Sequence, residues 1–163
     1  MKKLILAFAF LLMAFSAANA QNKKDDIPVE QLPAEVKTVL LEYVTILTTS
    51  KTLDECAKNF IKVAGGGLVN EDGNSLRGNV QGFSLKKDFE NIKFYANPVK
   101  ITRVNVSQSS GAGFGPSAIK GKIYKIWIAK ADGGGGLPAP VSIMIPDGHA
   151  TIKTPKVMNI GSF

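Results

Sequence analysis

Few side chains in this sequence could perform acid–base chemistry, and they are spread along the chain. His149 is the single histidine, and it follows the turn sequence Pro146-Asp147-Gly148 without a neighbour that would orient an imidazole as a general base. Buried carboxylates and tyrosines can also act as acids or bases, because burial shifts their pKa values. The catalytic candidates are therefore Asp88, Tyr95 and His149, and the alternative for each of them is a structural role.

The sequence contains no recognisable site for a metal ion or a cofactor. Structural zinc sites are built from several cysteines and histidines, whereas this chain has one of each. Cys56 falls on the apolar side of a predicted helix, which favours a buried, unreactive thiol over a nucleophile or a disulfide between chains. We expect no metal and no cofactor.

Two glycine-rich stretches resemble phosphate-binding loops only superficially. They are Gly133–Gly136, within KADGGGGLPAP, and residues 109–117, SSGAGFGPS. A phosphate loop needs backbone N–H groups at a helix N-terminus, usually followed by Lys and Ser or Thr. Both stretches instead run into predicted strands. They are interpreted as hairpin connections, and a role as mobile lids at one end of a sheet stays open.

Apolar and basic side chains alternate along residues 121–130, GKIYKIWIAK, as in a β-strand. Ile123, Lys125 and Trp127 fall on one face, and Tyr124 and Ile126 on the other. Both faces are partly apolar, so one is expected to cover the helices and the other to meet a ligand or a partner. The binding candidates are Tyr43, Arg103, Lys122, Tyr124, Lys125 and Trp127.

The charge of the chain is positive and unevenly distributed. The formal net charge is +7, and it falls to about +5 if Lys2 and Lys3 are removed with a signal peptide. From residue 91 onward the acidic residues are Asp132 and Asp147 alone. A basic half can attract an anionic ligand or simply keep the protein soluble. Nucleic acid is not expected as a partner, because the chain has two arginines, Arg77 and Arg103, and no stacking motif.

The N-terminus predicts export. Two lysines precede an apolar run from Leu4 to Phe15, and Ala18-Asn19-Ala20 forms an A-x-A cleavage site. The apolar run is shorter than the roughly 20 residues that span a bilayer. We expect a signal peptide over residues 1–20, a flexible leader over 21–32, and one domain over 33–163. The location would be periplasmic or extracellular, with no transmembrane segment after cleavage.

The periodicity of the remaining chain predicts helices first and strands afterwards. A helix with proline in its first turn begins at Pro33, a second follows the capping box Thr52–Glu55, and a third is capped by Ser84 and ends before Pro98. The period then changes to two. The predicted strands are 99–108, 118–131, 140–145 and 149–161, with short ones around 68–69 and 79–82.

This layout, with the third helix and its exit (SLKKDFENIKFYANPVKITRVNV) followed by long strands, resembles the NTF2-like or cystatin-like α+β cone. The resemblance covers roughly residues 34–161. It implies three N-terminal helices packed on a curved, mainly antiparallel sheet of four to six strands, a cavity between them, and frequent dimerisation through the outer sheet face. Enzymes of that superfamily commonly use an Asp/His or Asp/Tyr pair in the cavity, and no such pair can be mapped onto this chain.

These observations predict an exported, non-catalytic binding module. Its ligand would be a small apolar or anionic molecule or an envelope protein, and a homodimer could form through the sheet. The alternative is a cavity enzyme, an isomerase or hydrolase, that uses carboxylate and tyrosine acid–base chemistry. A third interpretation is a structural envelope protein that assembles through its sheet.

Overall fold

The fold is known from a computed structural model that describes residues 25–132 and 137–163. The predicted signal peptide and the run Gly133–Gly136 lie outside these residues. These described residues form three α-helices, α1 (Ala34–Thr49), α2 (Leu53–Phe60) and α3 (Lys86–Asn91). The strands are β1 (Asp25–Ile27), β2 (Ile101–Ala112), β3 (Ile119–Ile128), β4 (Ala139–Pro146) and β5 (Lys156–Asn159). No helix in the described ranges is long and apolar enough to cross a membrane.

The strands form one open antiparallel sheet in the order β1-β2-β3-β4-β5. An α+β fold with three helices and an antiparallel sheet is therefore confirmed. The predicted alternation of β3 is also confirmed, since Tyr124, Ile126 and Ile128 are buried while Lys125 and Trp127 are half-exposed. The buried face of the sheet packs against the helices in the main core.

The expected leader is partly incorporated into the sheet. Residues 25–27, which we expected to lack regular structure, pair with residues 104–106 of β2. Arg103 clamps this edge by donating from Nε and a terminal nitrogen to the Asp26 carboxylate, at 3.1 and 3.0 Å. A polar strand held by such a distant partner has no periodic signal in its own sequence.

The first two helices form as their local sequences predict. Val36, Leu40 and Tyr43 place the apolar side of α1 in the core with no solvent exposure. At the start of α2 the Thr52 hydroxyl accepts a hydrogen bond from the Glu55 N–H at 3.2 Å. The Glu55 carboxylate accepts from the N–H of Lys51, one residue before the expected partner. These two hydrogen bonds fix the start of α2 and keep the α1–α2 connection short.

The third helix differs from its prediction. A π-helical turn spans Val80–Leu85 and leads into the short α3, so Ser84 lies inside helical backbone and is not an N-cap. A 3-10 turn, Ile92–Phe94, then continues α3. The strand expected around 79–82 is helical, and around 68–69 only Val69 pairs, in an isolated bridge with Leu76. Short apolar runs such as these do not distinguish helix from strand.

The last strand is shorter than predicted. We expected strand structure from 149 to 161, but β5 begins at Lys156. The N–H groups of Thr151 and Ile152 donate to Nδ1 of His149, at 3.2 and 2.9 Å, which turns this segment away from the ladder. The other boundaries differ by smaller amounts, except that β2 continues four residues further, to Ala112.

The tip of the β2–β3 hairpin packs against residues 66–71. The N–H of Ser117 donates to the carbonyl of Glu71 at 3.1 Å, and its hydroxyl donates to the carbonyl of Asn70 at 2.8 Å. Gly113, at φ +99°, lies so close to Gly66 that an added Cβ would come within 2.9 Å of the Gly66 Cα. The glycine-rich sequence 109–117 thus permits a close backbone contact, and residues 113–117 connect the strands as expected.

Gly113→Ala should destabilise the protein. The alanine would adopt a positive φ, at a cost of about 1–2 kcal/mol, and would also collide with backbone. Gly111→Ala is the matched control, because a Cβ added at Gly111 would meet no atom within 4 Å and its φ is not positive. Urea unfolding should show a lower free energy of unfolding for the first variant alone. Equal stability would contradict the close contact.

Candidate functional site

Asp88 and Tyr43, two of the candidates, meet in the core. Neither side chain has solvent-exposed surface. The Tyr43 hydroxyl donates to Oδ2 of Asp88 at 2.7 Å. The pair joins α1 to α3, and the two residues are 45 positions apart in sequence. A buried carboxylate beside a phenol is the combination that the enzyme hypothesis requires.

Asp88 also accepts hydrogen bonds from two backbone N–H groups of residues 161–163. Gly161 N–H donates to Oδ2 at 2.7 Å and Phe163 N–H donates to Oδ1 at 2.9 Å. Asn91 donates to the carbonyl of Phe163 at 3.1 Å. The Phe163 ring packs between Tyr43 and Tyr95, with ring centroids 6.2 and 4.6 Å away. Asp88 therefore holds residues 161–163 against the helices.

Burial determines the proton affinity of this cluster. It raises the pKa of Asp88 above its ordinary value of 3.8, and the hydrogen bonds from Gly161, Tyr43 and Phe163 offset only part of that effect. The pKa of Tyr43 is raised by burial and by the nearby Asp88 charge, and that of Tyr95 by the same two causes. A protonated Asp88 can still use its proton in a hydrogen bond here, because it can donate that proton to the Tyr43 oxygen.

His149 has a structural position. Its Nε2 lies 3.1 Å from the carbonyl of Pro116, at the tip of the β2–β3 hairpin, while Nδ1 accepts the two N–H groups described above. With Nδ1 accepting, Nε2 is the nitrogen that carries the proton and donates to Pro116. The ring thereby joins the β4–β5 connection to the hairpin tip, and both of its nitrogens are occupied.

Three of the binding candidates meet on the outer face of the sheet. The Arg103 guanidinium lies 4.7 Å and the Lys125 amine 5.1 Å from the centroid of the half-exposed Trp127 ring. Hydrogen bonds to Arg103 and Asn105 lower the pKa of Asp26, the carboxylate at the edge of this group. Cation–π contacts of this kind hold the indole in place.

The other binding candidates are not part of this face. Tyr43 belongs to the core cluster, and Tyr124 points to the opposite, buried side of the sheet. Lys122 is exposed near the far end of β3. The sequence placed Lys125 and Trp127 on one face of β3, but it did not show that Arg103 packs beside them and did not separate the three from candidates that serve the core.

Cys56 is buried, as expected, with no exposed surface. Burial raises the pKa of its thiol to about 11, so almost no thiolate forms near neutral pH. Within residues 25–132 and 137–163, no three histidine, cysteine, aspartate or glutamate side chains are grouped as a metal ion would require.

A cleft that the sequence did not predict lies between α1 on one side and residues 62–63 and 153–156 on the other. We call it the lysine cleft. Its volume is about 410 Å³. Glu35, Thr38 and Glu42 of α1 form one wall, and the opposite wall carries Lys62, Lys153 and Lys156. These lysines come from two segments that are distant in sequence. The one local sign of this cleft in the sequence was the pair Lys153 and Lys156, which flanks Thr154-Pro155.

Lys156 is the least exposed of the three lysines. Its amine donates to the carbonyl of Lys62 at 2.7 Å. Burial lowers its pKa below 10.5, and the negative charge of Glu42 opposes that shift. Lys62 donates to Asn59 and Lys153 to the carbonyl of His149. In the described part of the chain, none of the three amines forms an ion pair with a carboxylate.

Comparison with known protein families, with curated proteins and with solved structures finds no match to this chain.

Tyr43→Phe should destabilise the fold. It removes the hydroxyl donor to Asp88 and leaves a buried acceptor short of one hydrogen bond, at a cost of about 1–3 kcal/mol. Tyr124→Phe is the control, since the Tyr124 hydroxyl makes no hydrogen bond to a described protein group. Chemical denaturation should separate the two variants, and identical midpoints would argue against the Asp88 network.

The pH dependence of stability should differ between the wild type and Asp88→Asn. Because the folded pKa of Asp88 is above 3.8, the folded state retains the proton to higher pH than the unfolded state does. Its stabilising contribution is complete below the unfolded pKa and is lost as the pH rises through the folded pKa. The stability of the wild type relative to the variant should therefore decrease over that interval in urea titrations. An increasing difference would mean that the hydrogen bonds outweigh desolvation.

Proposed function

We propose that this protein is an exported, non-catalytic binding module whose ligand carries an anionic group that binds in the lysine cleft. The observation that carries the proposal is the half-buried Lys156 amine, which has no carboxylate partner among the described residues. The negative charge of Glu42 offsets only part of the effect of burial on this amine, so an anion that enters the cleft and pairs with the amine directly is stabilised by the remaining positive charge. Lys62 and Lys153 line the same space and add to its positive charge.

The size of the cleft suits a small molecule. At about 410 Å³ it falls within the range of ligand pockets. The proposal includes two further predictions, that the fold is NTF2-like and that the signal peptide is cleaved after Ala20. An NTF2-like chain would be expected to bind its ligand between helix and sheet, and α1 supplies one wall of this cleft while residues 153–156, at the start of β5, supply the other.

The alternative function is an acid–base enzyme centred on Asp88 and Tyr43. The raised pKa of Asp88 favours it. Against it, the carboxylate accepts three hydrogen bonds from protein groups and has no solvent-exposed surface. A substrate could reach Asp88 only after residues 161–163 had left it.

A partner protein or a second copy of this chain on the outer sheet face is a further candidate. The half-exposed Trp127 between Arg103 and Lys125 favours it, because aromatic and arginine side chains dominate binding energy at protein interfaces. This role and ligand binding in the lysine cleft use different surfaces.

Native mass spectrometry of the protein, expressed as the full chain and purified from the export compartment, tests the proposal. A reproducible additional mass that disappears in Lys156→Met would place a ligand in the cleft. Retention of that mass in the variant would reject the cleft as its site. A stable dimer without added mass would favour the outer sheet face.

Lys156→Met should weaken the binding of inorganic phosphate about tenfold, since a hydrogen bond to a charged group contributes about 1.5–3 kcal/mol. Methionine keeps most of the aliphatic volume. Lys37→Met, on α1 but outside the cleft, removes the same charge and should change the affinity little. Isothermal titration calorimetry measures both. Equal affinity in the wild type and Lys156→Met would overturn the proposal.

A further inference from the structure

The lysine cleft has an acidic wall as well as a basic one. Glu35 and Glu42 are seven residues apart on α1, which places them on the same side of the helix about 10 Å apart along its axis. Both are exposed, and in the described part of the chain neither forms an ion pair or a hydrogen bond. The hydroxyl of Thr38, between them, donates to the carbonyl of Ala34.

The charges of the two walls neutralise each other only in part. The lysine amines bind backbone carbonyls and the Asn59 amide oxygen, and neither glutamate lies within ion-pair distance of a described cation, although the Glu42 charge does act on Lys156. Three positive charges therefore face two negative charges across the cleft. The glutamates would weaken the binding of a simple anion at Lys156, whereas a ligand with a positive group at its other end would be attracted by both walls.

We propose that the cleft binds a zwitterionic ligand, a short peptide with a free carboxylate and a free ammonium group. The carboxylate pairs with Lys156 and its neighbouring lysines, and the ammonium pairs with a glutamate of α1. An extended peptide of three residues spans about 10 Å, and the cleft volume of about 410 Å³ suits a molecule larger than a single amino acid. This inference depends on the proposed function, because it assumes the anion site at Lys156.

Three probes separate the two charges: trialanine, N-acetyl-trialanine and trialanine amide. Trialanine carries both charges, N-acetyl-trialanine carries only the negative one, and trialanine amide carries only the positive one. Calorimetry with the wild-type protein should show trialanine binding at least fivefold more tightly than either blocked peptide. In Glu35→Gln/Glu42→Gln the preference for trialanine over N-acetyl-trialanine should disappear, while phosphate binding should stay the same or strengthen.

The outcomes separate this inference from the proposed function. Equal binding of trialanine and N-acetyl-trialanine, with phosphate binding that depends on Lys156, would overturn the zwitterion and leave the anion site standing. Failure of phosphate and of all three peptides to bind would overturn both. A preference for trialanine that persists in Glu35→Gln/Glu42→Gln would overturn the proposal that a glutamate of α1 binds the ammonium group. Because the three-probe comparison uses the wild-type protein, it does not depend on the folding of any variant.

Discussion

The fold depends on the buried carboxylate of Asp88. Ionised carboxylates in a protein interior are unfavourable unless donors surround them. Here one phenol and two backbone N–H groups fill that role. The same contacts place Phe163 between Tyr43 and Tyr95, so a polar constraint also completes the aromatic part of the core. Removing the carboxylate would leave these three donors unpaired at once, so its loss should be strongly destabilising.

The tip of the β2–β3 hairpin is held by small residues and short polar contacts. Gly113 approaches Gly66, Ser117 binds two backbone carbonyls, and His149 joins the β4–β5 connection to the same hairpin tip. These contacts need little apolar area. Glycine and turn residues therefore hold the hairpin tip in place through backbone contacts.

Local sequence signals predicted the parts of this structure that local interactions determine. The apolar stripe of α1, the capping box of α2, the burial of Cys56 and the two faces of β3 all arise from spacing within one element. The sequence could not show β1, whose strand is held by a residue 77 positions away, nor the role of Asp88, whose backbone partners are 73 and 75 positions away. The lysine cleft was missed for the same reason, because its two walls meet only in the folded chain.

The contacts of β1 and of residues 161–163 also constrain the order in which the chain can fold. Asp25–Ile27 are made early in synthesis, but they have no strand partner until residues 104–106 follow. Asp88 receives its last two donors only when residues 161–163 are present. Both closures join points far apart in sequence, and long-range contacts of this kind cost the chain entropy before they contribute stability. A chain without residues 104–106 leaves β1 without its partner strand, and a chain without residues 161–163 leaves Asp88 with the Tyr43 hydroxyl as its remaining described donor, so both contacts form late.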